Sequence, residues 1–298
     1  MDTFVKPKTI LITGATGLIG SHLLRTFGPE DTVYALLRDG RVVRGIHTLH
    51  IDLGRPWSID ELPDGVDTIV HLAQSNHYRD FPMRTEDVFS VNTASTVKLL
   101  DYARATGVKQ FVLASSGGVY GTGVNSFSEE EAITAKGELG FYIGTRLCSE
   151  LLSECYAAYM NVVCLRFFFV YGPAQRPHML VPRLVDSVRA GRVIKLRGEC
   201  GLSVNPVYVA DAVSAVRSAM SLPESHKLNV AGPEVISLRR MAEIIGATIG
   251  KTPVFEIEPV AASQDLIADI AKMTTLLGAP TTRFEDGLRR YLTEAADV

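Results

Sequence analysis

Three glycines spaced three residues apart, in Gly14-Ala15-Thr16-Gly17-Leu18-Ile19-Gly20, directly follow the apolar, β-branched run Thr9–Thr13 and precede a stretch with helical spacing over 21–27. A strand that turns through glycines into a helix leaves unpaired backbone N–H groups and partial positive charge at the helix start. The missing side chains let a diphosphate approach the backbone closely. Glycine also serves ordinary turns, so the strand before and the helix after make the feature specific. Gly14, Gly17 and Gly20, with Thr16, Leu18 and Ile19 among them, are therefore the expected pyrophosphate-binding residues of a dinucleotide site.

Short, nearly continuous apolar runs recur at 33–37, 68–72, 111–115 and 162–168, as expected of strands buried on both faces. Helical periodicity occupies 88–106 and 142–160. This alternation predicts an α/β fold with a doubly wound parallel Rossmann sheet. Past residue 168 the pattern loosens and prolines multiply, among them Pro173, Pro177, Pro182 and Pro206. The expected division is a dinucleotide-binding domain over 1–168, to which some later segments return, and a smaller C-terminal substrate-binding lobe over 169–298. A chain of 298 residues suits one α/β unit with an appended lobe.

Composition narrows the partners. The net charge of −3 and the lack of any Lys/Arg-rich run argue against a nucleic acid partner. The longest apolar stretch, 162–171, is interrupted by Arg166 and falls far short of the ~20 residues a bilayer span needs, so no membrane partner is expected. Asp2 and the Lys6-Pro7-Lys8 segment lack the apolar core of a secretory signal, which predicts a cytoplasmic protein. Cys148, Cys155, Cys164 and Cys200 have neither metal-ligand nor disulfide-scaffold spacing and are expected to be free, buried thiols. No two histidines stand four residues apart and no His/Cys/acid set occurs, so no metal site is expected.

The glycine turn is followed in order by His71-Leu72-Ala73, Ser115-Ser116-Gly117-Gly118-Val119-Tyr120-Gly121, Tyr142-x-x-x-Arg146, Leu165-Arg166, Tyr171-Gly172-Pro173, Tyr208-Val209-Ala210-Asp211 and Asn229-Val230-Ala231-Gly232-Pro233. In these motifs, over almost its whole length, the chain resembles the extended short-chain dehydrogenase/reductase family of nucleotide-sugar epimerases, dehydratases and ketoreductases. The resemblance implies Tyr142 as catalytic acid/base, Ser116 as the hydroxyl that orients the substrate oxygen, and a homodimer paired through the helices at 88–106 and 142–160. It places Asp52 and Leu53 near the adenine, Leu72 and Ala73 beside the cofactor, and Asn92 as support for the active-site backbone. Tyr120, Phe169, Arg183 and Tyr208 become candidate substrate contacts.

Several positions depart from the family pattern. Phenols ionise near ~10, and the family sets a lysine four residues after its tyrosine to favour phenolate. Here Arg146 keeps the charge but has a larger, planar head. Gly117 and Gly118 stand where dehydratases carry an acid pair, which disfavours sugar dehydration. Phe169 and Val204 replace an Asn and an Arg that contact a diphosphate, a role that Arg176, Arg183 and Arg197 offer by another route. The second strand ends in Arg38 where NAD-preferring relatives have a carboxylate, so NADP is favoured over NAD, with Asp39 available for a ribose hydroxyl. The expected function is an NAD(P)-dependent epimerase or ketoreductase acting on a secondary alcohol or ketone of a nucleotide sugar. Arg146 keeps open a non-catalytic dinucleotide sensor, and Phe169 with Val204 a reductase of a small non-nucleotide ketone.

Overall fold

The computed structural model describes residues 8–133, 140–259 and 265–294. The chain begins β1 (Thr9–Thr13), α1 (Leu18–Leu24), β2 (Thr32–Leu37), β3 (His47–His50), β4 (Thr68–His71), α2 (Thr85–Phe89), α3 (Ser95–Thr106) and β5 (Gln110–Ser116). It continues through β6 (Ser126–Phe127), α4 (Gly140–Glu154), β7 (Asn161–Phe167), α5 (Leu180–Arg189), β8 (Val193–Arg197), β9 (Ser203–Val204) and α6 (Val209–Ala219). It ends with β10 (His226–Val230), β11 (Ile236–Ser237), α7 (Leu238–Ile249), β12 (Val254–Glu258), β13 (Ile267–Ala268), α8 (Ala271–Leu276) and α9 (Phe284–Glu294).

Seven strands make one sheet in the order β10-β7-β5-β4-β1-β2-β3. The β1–β2, β1–β4, β2–β3 and β4–β5 pairings are parallel. Ile10, Leu11 and Ile12 of β1, Ile69 and Val70 of β4, and Phe111, Val112 and Leu113 of β5 are all buried, because helices cover both faces of such a sheet. Strand order runs outward in opposite directions from β1 and β4. At such a reversal the loops leaving the two carboxyl ends diverge and open a crevice, where doubly wound sheets bind their ligands. Gly14 leaves β1 and Leu72 leaves β4 at this point.

The five predicted strands form within a residue of their expected ends. Two more complete the sheet: β3, a half-exposed edge strand of sequence HTLH, and β10, of which only the last three residues are buried. Neither has the apolar run that marks the others. The helix predicted over 88–106 is broken by a π turn at Ser90–Ala94. Here hydroxyls compete for main-chain carbonyls: Ser95 Oγ donates to Val91 O at 2.6 Å and Thr96 Oγ1 to Asn92 O at 2.7 Å. The helix predicted over 142–160 ends at Glu154 and gives way to turns. None of the four cysteines is in a disulfide, but only Cys164 is buried; Cys155 and Cys200 are exposed, which corrects the expectation for them. Cys155 lies just past the end of α4 and Cys200 in a surface turn after β8.

The chain divides into two compact units, one drawn from Met1–Val119, Ala135–Leu165 and Val216–Leu228, the other from Tyr120–Thr134, Arg166–Ala215 and Asn229–Val298. The second holds the small pairs β9/β11, β8/β12 and β6/β13. Among the described residues no helix is long and apolar enough to cross a membrane, and no group of three or more His, Cys, Asp or Glu side chains could hold a metal ion.

Candidate active site

The glycine turn is built for close backbone approach. Gly14 has φ +68°, and a Cβ there would lie 2.6 Å from the Ala73 nitrogen. A Cβ at Gly20 would lie 2.3 Å from Gly14 O, so α1 can start against the turn only because both are glycine. Gly17 caps α1 without a side-chain hydrogen bond, and its N–H donates to Gly14 O at 2.9 Å. With no side chain over the helix start, a diphosphate fits here. Thr16 and Gly17 are exposed, and Leu18 and Ile19 are half-buried.

Behind the turn a buried chain of hydrogen bonds ties β1 to β4. Thr96 Oγ1 spends its proton on Asn92 O, so it accepts from His71 Nε2 at 3.0 Å. His71 Nδ1 then accepts from Thr13 Oγ1 at 2.6 Å, and Thr13 Oγ1 accepts from the Ala73 N–H at 3.2 Å. Only a neutral imidazole with its proton on Nε2 completes this sequence. Burial, aided by the positive charge of Arg146, pushes His71 down to about 3, which keeps it neutral. The imidazole therefore holds the main chain of Ala73 in place.

Ala73 in turn receives Arg146. This side chain, only 2% exposed, lies on α4 and donates from Nη2 to Ala73 O at 3.0 Å and from Nη1 to Ala114 O of β5 at 3.2 Å. Its guanidinium spans two neighbouring strand ends. Nη2 also reaches Gln74 Oε1 at 3.3 Å, while Nε is buried with no partner. Tyr142, one helical turn earlier, donates its hydroxyl to the same Gln74 Oε1 at 2.9 Å. The Arg146 guanidinium carbon stands 5.8 Å from the centre of the Tyr142 ring, and the Tyr78 ring packs on it at 5.1 Å.

The remaining parts fix this geometry. Asn92 accepts the Ser75 N–H at 3.0 Å and donates to Thr145 Oγ1 at 3.0 Å, and Thr145 Oγ1 donates to Tyr142 O at 2.7 Å. The Ser115 hydroxyl donates to buried Glu150, which sets α4 on β5. Ser116 ends β5 and its Oγ accepts the Gly118 N–H at 3.1 Å. Sequence reasoning missed Gln74, Thr13 and Thr96. Gln74 directly follows the His71-Leu72-Ala73 motif, a position that offers a signal only once α4 is known to lie beside it.

Of the other candidate cofactor residues, Asp52 accepts the Gly54 N–H at 3.0 Å, Leu53 is buried in an apolar cluster with Ala73, and Leu72 is half-buried. In the second unit, Tyr120 and Phe169 meet in one apolar cluster with Phe168, Ala231 and Ala268. Tyr120 donates to Asn229 Oδ1 at 2.9 Å and accepts from Arg166 at 2.7 Å. Phe169 has φ +45°, a left-handed conformation in which asparagine is at ease and phenylalanine is strained. Tyr208 lies in a separate cluster against Tyr171, and Arg183 is exposed on α5. Val204 is wholly buried in β9, with a backbone pairing to Ile236.

A family model described as the NAD dependent epimerase/dehydratase family matches residues 10–231. The chain belongs to that family. It is 27% identical to a protein named as uncharacterized UDP-glucose epimerase YtcB of Bacillus subtilis (strain 168), over 94% of this chain and 95% of the relative. It is 26% identical to a dTDP-4-dehydro-6-deoxy-D-allose reductase of Streptomyces sp, over 91% of this chain and 90% of the relative. The structure of MoeE5 in complex with UDP-glucose and NAD matches with a TM-score of 0.82 at 26% identity, covering 97% of this chain and 99% of the other.

These similarities overturn the preference for NADP drawn from Arg38. The epimerase/dehydratase family is described as NAD dependent, and the MoeE5 structure holds NAD. The end of β2 explains the error. Arg38 is exposed and is followed by Asp39, whose carboxylate accepts Arg41 Nε at 2.8 Å. That hydrogen bond, with the charges of Arg41 and Arg38, holds Asp39 below the usual carboxylate range. Asp39 thus offers, one residue past Arg38, a carboxylate of the kind that accepts ribose hydroxyls at this position.

Proposed function

We propose that this member of the epimerase/dehydratase family is an NAD-dependent epimerase or ketoreductase acting on a secondary alcohol or ketone of a nucleotide sugar, with Tyr142 as its acid/base. One observation carries the proposal. An unbroken path of contacts within the first unit runs from Gly14 to the main chain of Ala73, from Ala73 to Arg146, and from both through Gln74 to Tyr142. The residues expected to cradle the pyrophosphate and the residue expected to move the proton therefore share one frame. Bound NAD supplies or accepts hydride. Gly14, Gly17 and Gly20 would hold its diphosphate, with Asp39 or Asp52 toward the adenosine. Ser116 orients the reacting oxygen and Tyr142 gives or takes its proton.

The nucleotide-sugar class is supported by the names of the relatives, a UDP-glucose epimerase and a dTDP-sugar reductase, and by the UDP-glucose in the MoeE5 structure. Gly117 and Gly118 lack the carboxyl groups that dehydration needs, which leaves oxidation, reduction and epimerisation through a ketone. We propose Tyr120 and Phe169, which share one apolar cluster, as substrate contacts. A homodimer through α3 and α4 is also proposed; Leu151 of α4 offers a large exposed apolar side chain for it.

The test is turnover of UDP- and dTDP-hexoses and their 4-keto forms with NAD or NADH. Tyr142→Phe is expected to lower kcat about 10²–10⁴-fold with little change in NAD affinity. Wild-type turnover in that variant would refute the role of Tyr142, and silence of the wild type across the panel would refute the substrate class.

A further inference from the structure

Gln74 occupies an unusual place, since its single amide oxygen faces two donors. Arg146 has no acceptor atom, so the end of the amide that meets Nη2 must be the oxygen. With the oxygen so fixed, the Tyr142 hydroxyl, which meets the same atom, can only donate to it. Turning the amide over would bring its NH₂ against the guanidinium. The guanidinium cannot yield, because its other bonds run to Ala73 O and Ala114 O and it is buried. Ala73 is itself fixed through Thr13 and His71.

We propose that Gln74 is a positioning residue which, oriented by Arg146, keeps the proton on Tyr142, so that Tyr142 enters the reaction as a proton donor and the reductive direction is favoured. The inference rests on the function proposed above. In that direction the carbonyl carbon of the sugar ketone receives hydride from bound NADH, which is oxidised to NAD. The carbonyl π bond breaks, and its oxygen takes the Tyr142 proton to form the alcohol. Tyr142 is left as phenolate and recovers a proton from water. Among the described residues, the groups facing Tyr142 are Arg146 from its own helix and Gln74 and Tyr78 from the segment after β4. Arg79 lies over the Tyr78 ring, and the Asp87 carboxylate of α2 accepts from the hydroxyl of Ser75, the residue after Gln74.

The experiment titrates tyrosinate by ultraviolet difference absorption in cofactor-free protein, taking the Tyr142→Phe variant as the blank that isolates the Tyr142 transition. Gln74 is exposed, so its variants are expected to fold. Gln74→Ala removes the acceptor while Arg146 stays, and the transition is expected about one pH unit lower, a tenfold change in ionisation. Gln74→Glu offers an acceptor that carries charge, and the transition is expected about one unit higher. A merely structural role would not move the two variants in opposite directions. No movement, or movement of both in the same direction, would overturn the inference. Opposite shifts in a protein that reduces no 4-keto nucleotide sugar would sustain the role of Gln74 and remove the proposed substrate. Reduction by the wild type with no shifts would do the reverse.

Discussion

Replacing Arg146 by lysine restores the residue usual in this family, and the structure implies that it harms the protein. Lysine ends where arginine has its guanidinium carbon, so its nitrogen falls short of each Nη position by about one C–N bond, ~1.3 Å. The bonds to Ala73 O and Ala114 O, now 3.0 and 3.2 Å, would open to roughly 4 Å, beyond hydrogen-bond reach. A shift of the side chain can recover one of them. The other carbonyl then loses a charged donor worth about 1.5–3 kcal/mol. Against this, lysine has no counterpart of the unpartnered Nε, whose burial costs about 1–3 kcal/mol. If both bonds weaken the loss dominates, and Arg146→Lys should be less stable by about 1–3 kcal/mol. Denaturant unfolding monitored by circular dichroism measures this directly, and turnover with NADH and a 4-keto nucleotide sugar should not exceed wild type. A variant that unfolds at the wild-type midpoint and turns over faster would show that Arg146 is a damaged lysine site and that its span across two strand ends contributes nothing.

Two further outcomes follow from the buried frame around the site. His71 ionises near 3 when folded and near 6.5 when unfolded, so its contribution to stability is complete above pH 6.5 and is lost as the pH falls toward 3. Wild type should therefore lose about 1.4 kcal/mol per pH unit more than His71→Gln across that window, and parallel pH curves for the two would contradict a neutral buried imidazole. Gly20→Ala forces a methyl onto Gly14 O and should abolish the thermal stabilisation by NAD, about 2.7 kcal/mol at one hundred times Kd in wild type. Full protection of that variant by NAD would rule out the glycine turn as the diphosphate cradle.

What the sequence conveyed and what it withheld divide along physical lines. The inner strands were legible because double burial leaves runs such as Ile10-Leu11-Ile12 and Phe111-Val112-Leu113, whereas β3 at the sheet edge, half wet, has no such run. Tyr142 and Arg146 were legible as a pair through the resemblance to the family, and one helical turn accounts for their spacing. Gln74 was not, since its role depends on the end of β4 lying beside the start of α4, a relation carried by no local periodicity. The NADP expectation failed for a related reason: the guanidinium of Arg38 was given more weight than the carboxylate of Asp39 beside it, and no local pattern says which of the two neighbours a ribose meets. Exposed Cys155 and Cys200 likewise show that residue type sets only a tendency to burial.

The π turn at Ser90–Ala94 has a consequence for how this protein can change. It amounts to one extra residue wound into a helix, and such an insertion is present or absent, never partial. Deleting a residue there would restore regular winding and leave the turns on either side facing as they do now, because the wider turn absorbs the roughly 100° that the extra residue would otherwise add. Leu99, Leu100 and Ala103 of α3 and Val88 before the turn would stay buried, while Asn92, inside the turn, would lose the position from which it meets Ser75 and Thr145. The length of this segment is therefore held by the frame around Tyr142 that Asn92 supports, and not by the core.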